Sequence, residues 1–310
     1  MIIFLGPTPA WQRTMAFDRL VIDGVNRSSE VAEYASGKSV NAARVAHTLG
    51  RKVLTMGFAG GVRGEQLTGD LEAAGMQHAF VRVRPETRQC LTIIDRSTGA
   101  ATELIEESSA LADEDYEALQ VRLEDVLDDA RMLVLSGSLP PNGPADLYAK
   151  LVSLARAKGV RTIVDARDEP LRLAADAGAD VCKVNVSELL STIASTDDSP
   201  DGIVHAIESL RQERDGWVIV THGAQPTLVG GRDGLYRLDA PPVTAISPIG
   251  SGDAFAAGLA CGLVDGMSLP DAARLASACG SANAITPRAG FIDPATVEQL
   301  QRQVSWEKLQ

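Results

Sequence analysis

Short, almost wholly apolar runs recur along this chain, and most are followed by a stretch whose apolar residues fall at helical spacing. The runs are Ile2-Ile3-Phe4-Leu5, Val53-Leu54-Thr55-Met56-Gly57-Phe58, Met132-Leu133-Val134-Leu135, Thr162-Ile163-Val164-Asp165, Val181-Cys182-Lys183-Val184 and Trp217-Val218-Ile219-Val220. Strands without polar alternation are buried on both faces, which is the condition of a parallel sheet covered by helices. Helices are predicted over residues 42–49, 64–74, 113–128, 144–158, 171–177, 203–213, 253–264 and 270–285. Gly50 and Gly75 close the first two, as expected of C-terminal glycines. A hairpin is predicted over 227–230 and 234–238.

The rhythm breaks twice. Residues 7–14 read as an irregular loop at the end of the first strand, and 15–34 carry short β-like runs without helical period. From 79 to 107 three strands follow one another (80–84, 90–95 and 101–106), the last two separated by a Ser97-Thr98-Gly99 turn. Strands clustered inside an alternating βα chain suggest a subsidiary sheet. The expected architecture is one α/β domain over 1–310: a central mostly parallel sheet with helices on both faces, plus a small β-sheet lid from segments 13–35 and 79–107.

Charge narrows the partners. A formal net charge of −12 argues against nucleic acid and anionic membrane surfaces, but leaves room for a small phosphate ligand at a local helix terminus. Cys90, Cys182, Cys261 and Cys279 lack metal-type spacing and read as reduced thiols of a cytoplasmic protein. The apolar start, Met1 to Pro7, is short and lacks a basic lead, so it reads as a buried strand and not as a targeting or membrane segment. His47, His78, His205 and His222 are too dispersed to argue for a metal site or a triad.

In such a sheet the carboxyl ends of the strands emerge on one edge, where ligands bind. Gln12, Ser136, Asp165, Lys183, Asn185, Thr221 and Asp253 all lie just after buried runs. Asp253 follows the turn Gly250-Ser251-Gly252 at the head of a helix of small residues, where unpaired amides favour an anion. Two readings fit this motif: an aspartate cap on a glycine turn, or a base beside an anion pocket. Asn185 and Glu188 suit a hydrated Mg²⁺ on nucleotide phosphates, although Glu188 in a first helical turn is also ordinary dipole chemistry. Ala32 to Ser39 loosely matches a phosphate-binding loop, but no buried strand precedes it and it holds a single glycine. Gly250 to Phe255 fails as a dinucleotide fingerprint, because Phe255 stands where a small residue is needed.

Taken together the motifs resemble the ribokinase-like (PfkB) carbohydrate kinases, and most closely their branch of 1-phosphofructokinases and tagatose-6-phosphate kinases. The matching stretches are Gly37-Lys38-Ser39-Val40-Asn41-Ala42-Ala43-Arg44, Thr87-Arg88, Thr102-Glu103, Ser136-Gly137-Ser138-Leu139-Pro140-Pro141, Lys183-Val184-Asn185 with Glu188, and Gly250-Ser251-Gly252-Asp253. The resemblance implies ATP-dependent phosphorylation of a sugar hydroxyl, with Asp253 as base and Gly250, Ser251 and Gly252 as the anion hole. It implies that Lys183, Asn185, Thr221, Gly223, Ala224, Gly252 and Asn283 flank the nucleotide, and that Asn185 and Glu188 organise Mg²⁺ through water. The acceptor would meet Gln12, Gly37, Lys38, Asn41, Arg88 and Ser136, with Lys38 and Arg88 as partners of an existing sugar phosphate. A homodimer through the lid is also implied. The chain departs from the branch in reading Thr8-Pro9-Ala10-Trp11-Gln12 where Asn-Pro-Ala-x-Asp is usual, and in Ser36, Ser39, Cys90 and Ser247-Pro248. Gln12 can donate as well as accept, unlike a carboxylate. A kinase for an unphosphorylated acceptor, a non-catalytic binder descended from such a kinase, and a P-loop hydrolase are the alternatives.

Overall fold

The computed structural model describes residues 1–211 and 215–309. In chain order it runs β1 (Ile2–Gly6), β2 (Ala10–Phe17), β3 (Glu30–Ser36), α1 (Lys38–Thr48), β4 (Val53–Ala59), α2 (Gly61–Ala73), β5 (Gln77–His78), β6 (Val81–Arg82), β7 (Arg88–Asp95), β8 (Ala100–Ile105) and α3 (Asp113–Leu127). It continues β9 (Met132–Ser136), α4 (Leu147–Ala157), β10 (Arg161–Asp165), α5 (Asp168–Asp176), β11 (Val181–Asn185), α6 (Val186–Thr192), α7 (Pro200–Arg211), β12 (Trp217–His222), β13 (Gln225–Gly231) and β14 (Gly234–Asp239). The last elements are α8 (Ser251–Val264), α9 (Leu269–Ala284), α10 (Pro294–Gln301) and β15 (Ser305–Lys308).

The apolar strands form a parallel sheet in the order β12-β11-β10-β9-β1-β4-β5, extended at the β12 edge by antiparallel β13, β14 and β15. Alternate residues of one strand feed two cores. In β1, Ile2 and Phe4 pack on the side of α1, α2, α8 and α9, whereas Ile3 and Leu5 pack on the side of α3 to α7. Such double burial explains why these runs carry no polar alternation.

On the first side α8 is buried along its length from Asp253 to Val264. Gly258 and Gly262 let it lie against α9: a Cβ on either would stand 2.8 Å from the Cα of Ala276 or Ala272. This close contact fixes the start of α8, and with it Asp253, against the sheet edge.

A separate four-stranded sheet, ordered β3-β2-β7-β8, stands beside the main one. β2 occupies much of the stretch expected to be an irregular loop. Its inward residues include Gln12 and Thr14, so its burial leaves no apolar alternation to read. The strand expected at 80–84 is only Val81–Arg82 and pairs with β4 of the main sheet, away from the small sheet. Helix α1 begins at Lys38, four residues before the predicted start, because Gly37 takes φ 108° as its N-cap. The helix predicted to reach Glu213 is seen to Arg211; its predicted end lies outside the described residues. β15, exposed at all four positions, has no burial pattern by which it could be foreseen.

Candidate active site

The site lies at the carboxyl edge of the parallel strands, where β9, β10 and β11 end at Ser136, Asp165 and Asn185. Asp165, the last residue of β10, is fully buried and takes two ammonium groups at once. Lys183 Nζ donates to its Oδ2 at 2.8 Å and Lys38 Nζ to its Oδ1 at 2.9 Å. Lys38 also donates to Glu188 Oε1 at 3.3 Å. Burial opposes ionisation of Asp165, yet the two lysines hold its pKa below the ordinary aspartate value. Burial likewise works against the Lys38 charge, and the carboxylates of Asp165, Glu188 and Asp253 outweigh it, so the Lys38 pKa is raised.

The glycine turn meets this cluster from the opposite core. Gly250 caps α8 at φ 82°, and a Cβ there would strike the Ala289 side chain at 2.6 Å. A Cβ on Gly252 would stand 2.9 Å from Lys183 Nζ, so the ammonium lies directly against the turn. Asn283 lies wholly buried beneath it. Its amide donates to the Ile249 carbonyl at 2.8 Å and to Ser251 Oγ at 3.4 Å, and its oxygen accepts from the Gly290 amide at 2.8 Å. The turn is thus held open with its amides at the positive end of a helix.

Asp253, 8% exposed, receives a hydrogen bond at 2.8 Å from the Asn41 amide, whose own oxygen accepts from Ser36 Oγ at 2.9 Å. Burial dominates its electrostatics and pushes its pKa up to about 6, against the opposing pull of Lys38 and Asn41. A carboxylate of this kind is ionised at neutral pH and is basic enough to accept a proton from a hydroxyl as a bond forms to it. Ser36, which departs from the glycine usual in the resembling family, here orients the residue that holds Asp253.

The remaining sequence candidates are spread around this centre. Gly37 heads α1 under Pro9, whose Cα a Cβ would meet at 2.8 Å. Ser136 is buried, and among the described residues its hydroxyl has no hydrogen-bond partner. Arg88 begins β7 and donates to the carbonyls of Thr8 at 2.9 Å and Glu106 at 3.5 Å. Thr221 pairs in register with Asn185, and Gly223 with Ala224 forms the exposed turn beyond β12. Gln12 lies within the small sheet, where its amide donates to Thr92 Oγ1 at 2.9 Å and to the Arg13 carbonyl at 3.4 Å. Asn185 and Glu188 close a reciprocal cap on α6: Asn185 Oδ1 accepts from the Glu188 amide at 2.9 Å, and Glu188 Oε2 from the Asn185 amide at 3.0 Å. Asp165 is the central group to which sequence reasoning gave no role. Its signal was present, a lone carboxylate ending an otherwise uncharged run, but its two lysines arrive from 127 residues before and 18 after.

Among the described residues no group of three or more histidines, cysteines and acids is placed to hold a metal, and no helix is long and apolar enough to cross a membrane. The Asn185 amide and the Glu188 carboxylate, now engaged in the α6 cap, would suit a hydrated Mg²⁺ shared with phosphates, because that ion keeps most of its waters and needs few protein ligands.

This fold is that of the ribokinase-like sugar kinases. Ribokinase of Arabidopsis thaliana, solved with ribose and ATP, superposes with a TM-score of 0.76 at 17% identity, over 97% of this chain and 98% of that one. Within that class the chain belongs to the pfkB family of carbohydrate kinases, whose model matches residues 12–295. It is therefore an ATP-dependent carbohydrate kinase, acting on a sugar and ATP. Phosphofructokinase-2 of Escherichia coli in complex with fructose-6-phosphate is similar at 24% identity and TM-score 0.87, covering 97% of this chain and 98% of that one. A Thermotoga maritima protein described as a possible 1-phosphofructokinase superposes with TM-score 0.91 at 21% identity, over the full length of both.

Proposed function

We propose that this kinase transfers the terminal phosphoryl group of ATP to a hydroxyl of a sugar phosphate of the fructose 1-phosphate or tagatose 6-phosphate kind, with Asp253 as the base. The observation that carries the reading is the Asp253 carboxylate, buried, tuned to a pKa of about 6 and held by Asn41 at the head of α8. In this reading Asp253 takes the acceptor proton as the hydroxyl attacks in line. The amides of Gly250, Ser251 and Gly252, with the Lys183 ammonium beside them, neutralise charge on the transferring group, which is most of what phosphoryl transfer asks of a protein.

Lys183, Asn185, Thr221, Gly223 and Ala224 line the nucleotide, while Asn283 acts from beneath by bracing the turn. Mg²⁺ held through water by Asn185 and Glu188 would screen the phosphate charges when bound. Glu188 would exchange its contact with Lys38 to do so, leaving Lys38 for the acceptor with Gly37, Asn41, Arg88 and Ser136. Gln12, its amide nitrogen tied to Thr92, completes the acceptor set. The small sheet β3-β2-β7-β8 serves as the lid, without residues 79–87 that were expected in it, and a homodimer forms through it. That phosphofructokinase-2 has been solved with fructose-6-phosphate supports a phosphorylated acceptor here.

The test is ADP formation across fructose 1-phosphate, tagatose 6-phosphate, fructose 6-phosphate and the corresponding free sugars. Turnover of at least one sugar phosphate in preference to its parent sugar is expected. A preference for free sugars would refute the acceptor class, and turnover surviving in Asp253→Asn would refute the base.

A further inference from the structure

A cavity of about 330 Å³ adjoins the reaction centre and is lined by Lys38, Glu188, Ser138, Leu139, Arg167 and Asp168. Lys38 belongs to both spaces, since it lines the cavity and its ammonium also acts on the Asp253 carboxylate. The two cations already assigned to the acceptor have protein partners in this structure. Lys38 is shared between Asp165 and Glu188, and Arg88 donates to two backbone carbonyls.

Arg167 differs. Its side chain is 63% exposed, and among the described residues its ion pair is a 3.5 Å approach of Nε to the neighbouring Asp168 Oδ2. An exposed pair of that length is worth about 1 kcal/mol or less, so it gives way readily to a better anion. The planar guanidinium keeps donors for two phosphate oxygens, a geometry in which arginine outperforms lysine.

The backbone carrying it is anchored. Asp168 takes φ 57°, an uncommon conformation for a residue with a side chain. Two bonds to α6 hold it: the Asp168 amide donates to Thr192 Oγ1 at 2.8 Å, and Ser191 Oγ donates to Asp168 Oδ1 at 2.5 Å. The Ser191 hydroxyl gives the Asp168 carboxylate a hydrogen-bond partner, and Glu188 is paired with Lys38 or, in the reading above, would be paired with Mg²⁺, so neither acid faces the cavity alone.

We propose that Arg167 holds the phosphate already present on the acceptor and thereby sets the preference for sugar phosphates over free sugars. The inference rests on the kinase reading above. An acceptor lying across Lys38 directs its reactive hydroxyl towards Asp253 and its phosphate into the cavity.

Arg167→Ala and Arg167→Lys test this. For whichever of the three sugar phosphates is turned over, KM in Arg167→Ala rises about 10- to 100-fold, the loss expected of a charge-assisted pair. The kcat and the KM for ATP stay within about twofold, and Arg167→Lys recovers part of the loss. Calorimetric titration of the same sugar phosphates reads the contact without turnover, with the same weakening expected. An unchanged KM and affinity overturn the proposal, as does a rise confined to the KM for ATP or a failure of the wild type to bind any of the three. Lost turnover in Asp253→Asn together with an indifferent Arg167→Ala would refute this inference alone and leave the base in place.

Discussion

Replacing Asp253 with asparagine probes chemistry and stability through one atom. A carboxyl that ionises near pH 6 in the folded chain, against about 4 when unfolded, makes the native state the better proton binder between those values. The wild type is then most stable below about pH 4, loses stability as pH rises through about 6, and carries the full cost above that. Two pH decades at about 1.4 kcal/mol each give a cost of about 3 kcal/mol at pH 8. Asparagine keeps the shape and still accepts from Asn41, but cannot ionise. Without ligands, urea unfolding should show Asp253→Asn more stable than the wild type by about 3 kcal/mol at pH 8 and nearly equal to it at pH 4. In the same protein kcat should fall by about 10²–10⁴-fold, the usual cost of losing a base. Equal stability of the two proteins at pH 8 would refute the burial argument. Retained kcat would refute the role assigned to the carboxylate.

Asn41→Ala removes the hydrogen bond that favours the ionised form of Asp253, so the acidic limb of the kcat/KM profile should move from about pH 6 to higher pH; a profile shifted downward, or unmoved, would contradict the geometry. Lys183→Met leaves Asp165 buried with Lys38 as its remaining ammonium partner, and should cost about 3 kcal/mol in denaturant unfolding at pH 7.5. Adding Asp165→Asn to that variant should restore much of the loss, because removing both members of a buried pair is far milder than removing one; a double variant worse than the single would show that Asp165 does not depend on Lys183.

The main sheet was legible because its strands are buried on both faces and so announce themselves as unbroken apolar runs. The small sheet was legible only in part. Its β7 and β8 have recognisable strand runs around a Ser-Thr-Gly turn, while β2 buries Gln12 and Thr14 and hides its alternation. Lys183 and Asn185 stood out as polar residues where β11 leaves the core. Arg167 gave no such signal, since an arginine in a polar turn is the commonest kind of surface residue, and only the cavity beside it gives it meaning.

Local chemistry along the chain determined the class of fold, the edge at which the candidate site lies, and the glycine turn before Asp253. It left Asp253 poised between a helix cap and a base, because pKa depends on burial and on charges that arrive from elsewhere. Packing supplies the burial and the neighbours that favour the base reading. The fit of Gly258 and Gly262 against α9 fixes α8, Asn283 braces the turn from below, and Asn41 reaches across 212 residues to hold the carboxylate. The sharing of Asp165 by Lys38 and Lys183 is likewise a tertiary fact. Each of these groups is ordinary in its own segment, and their separation in sequence is what kept the arrangement from being read there.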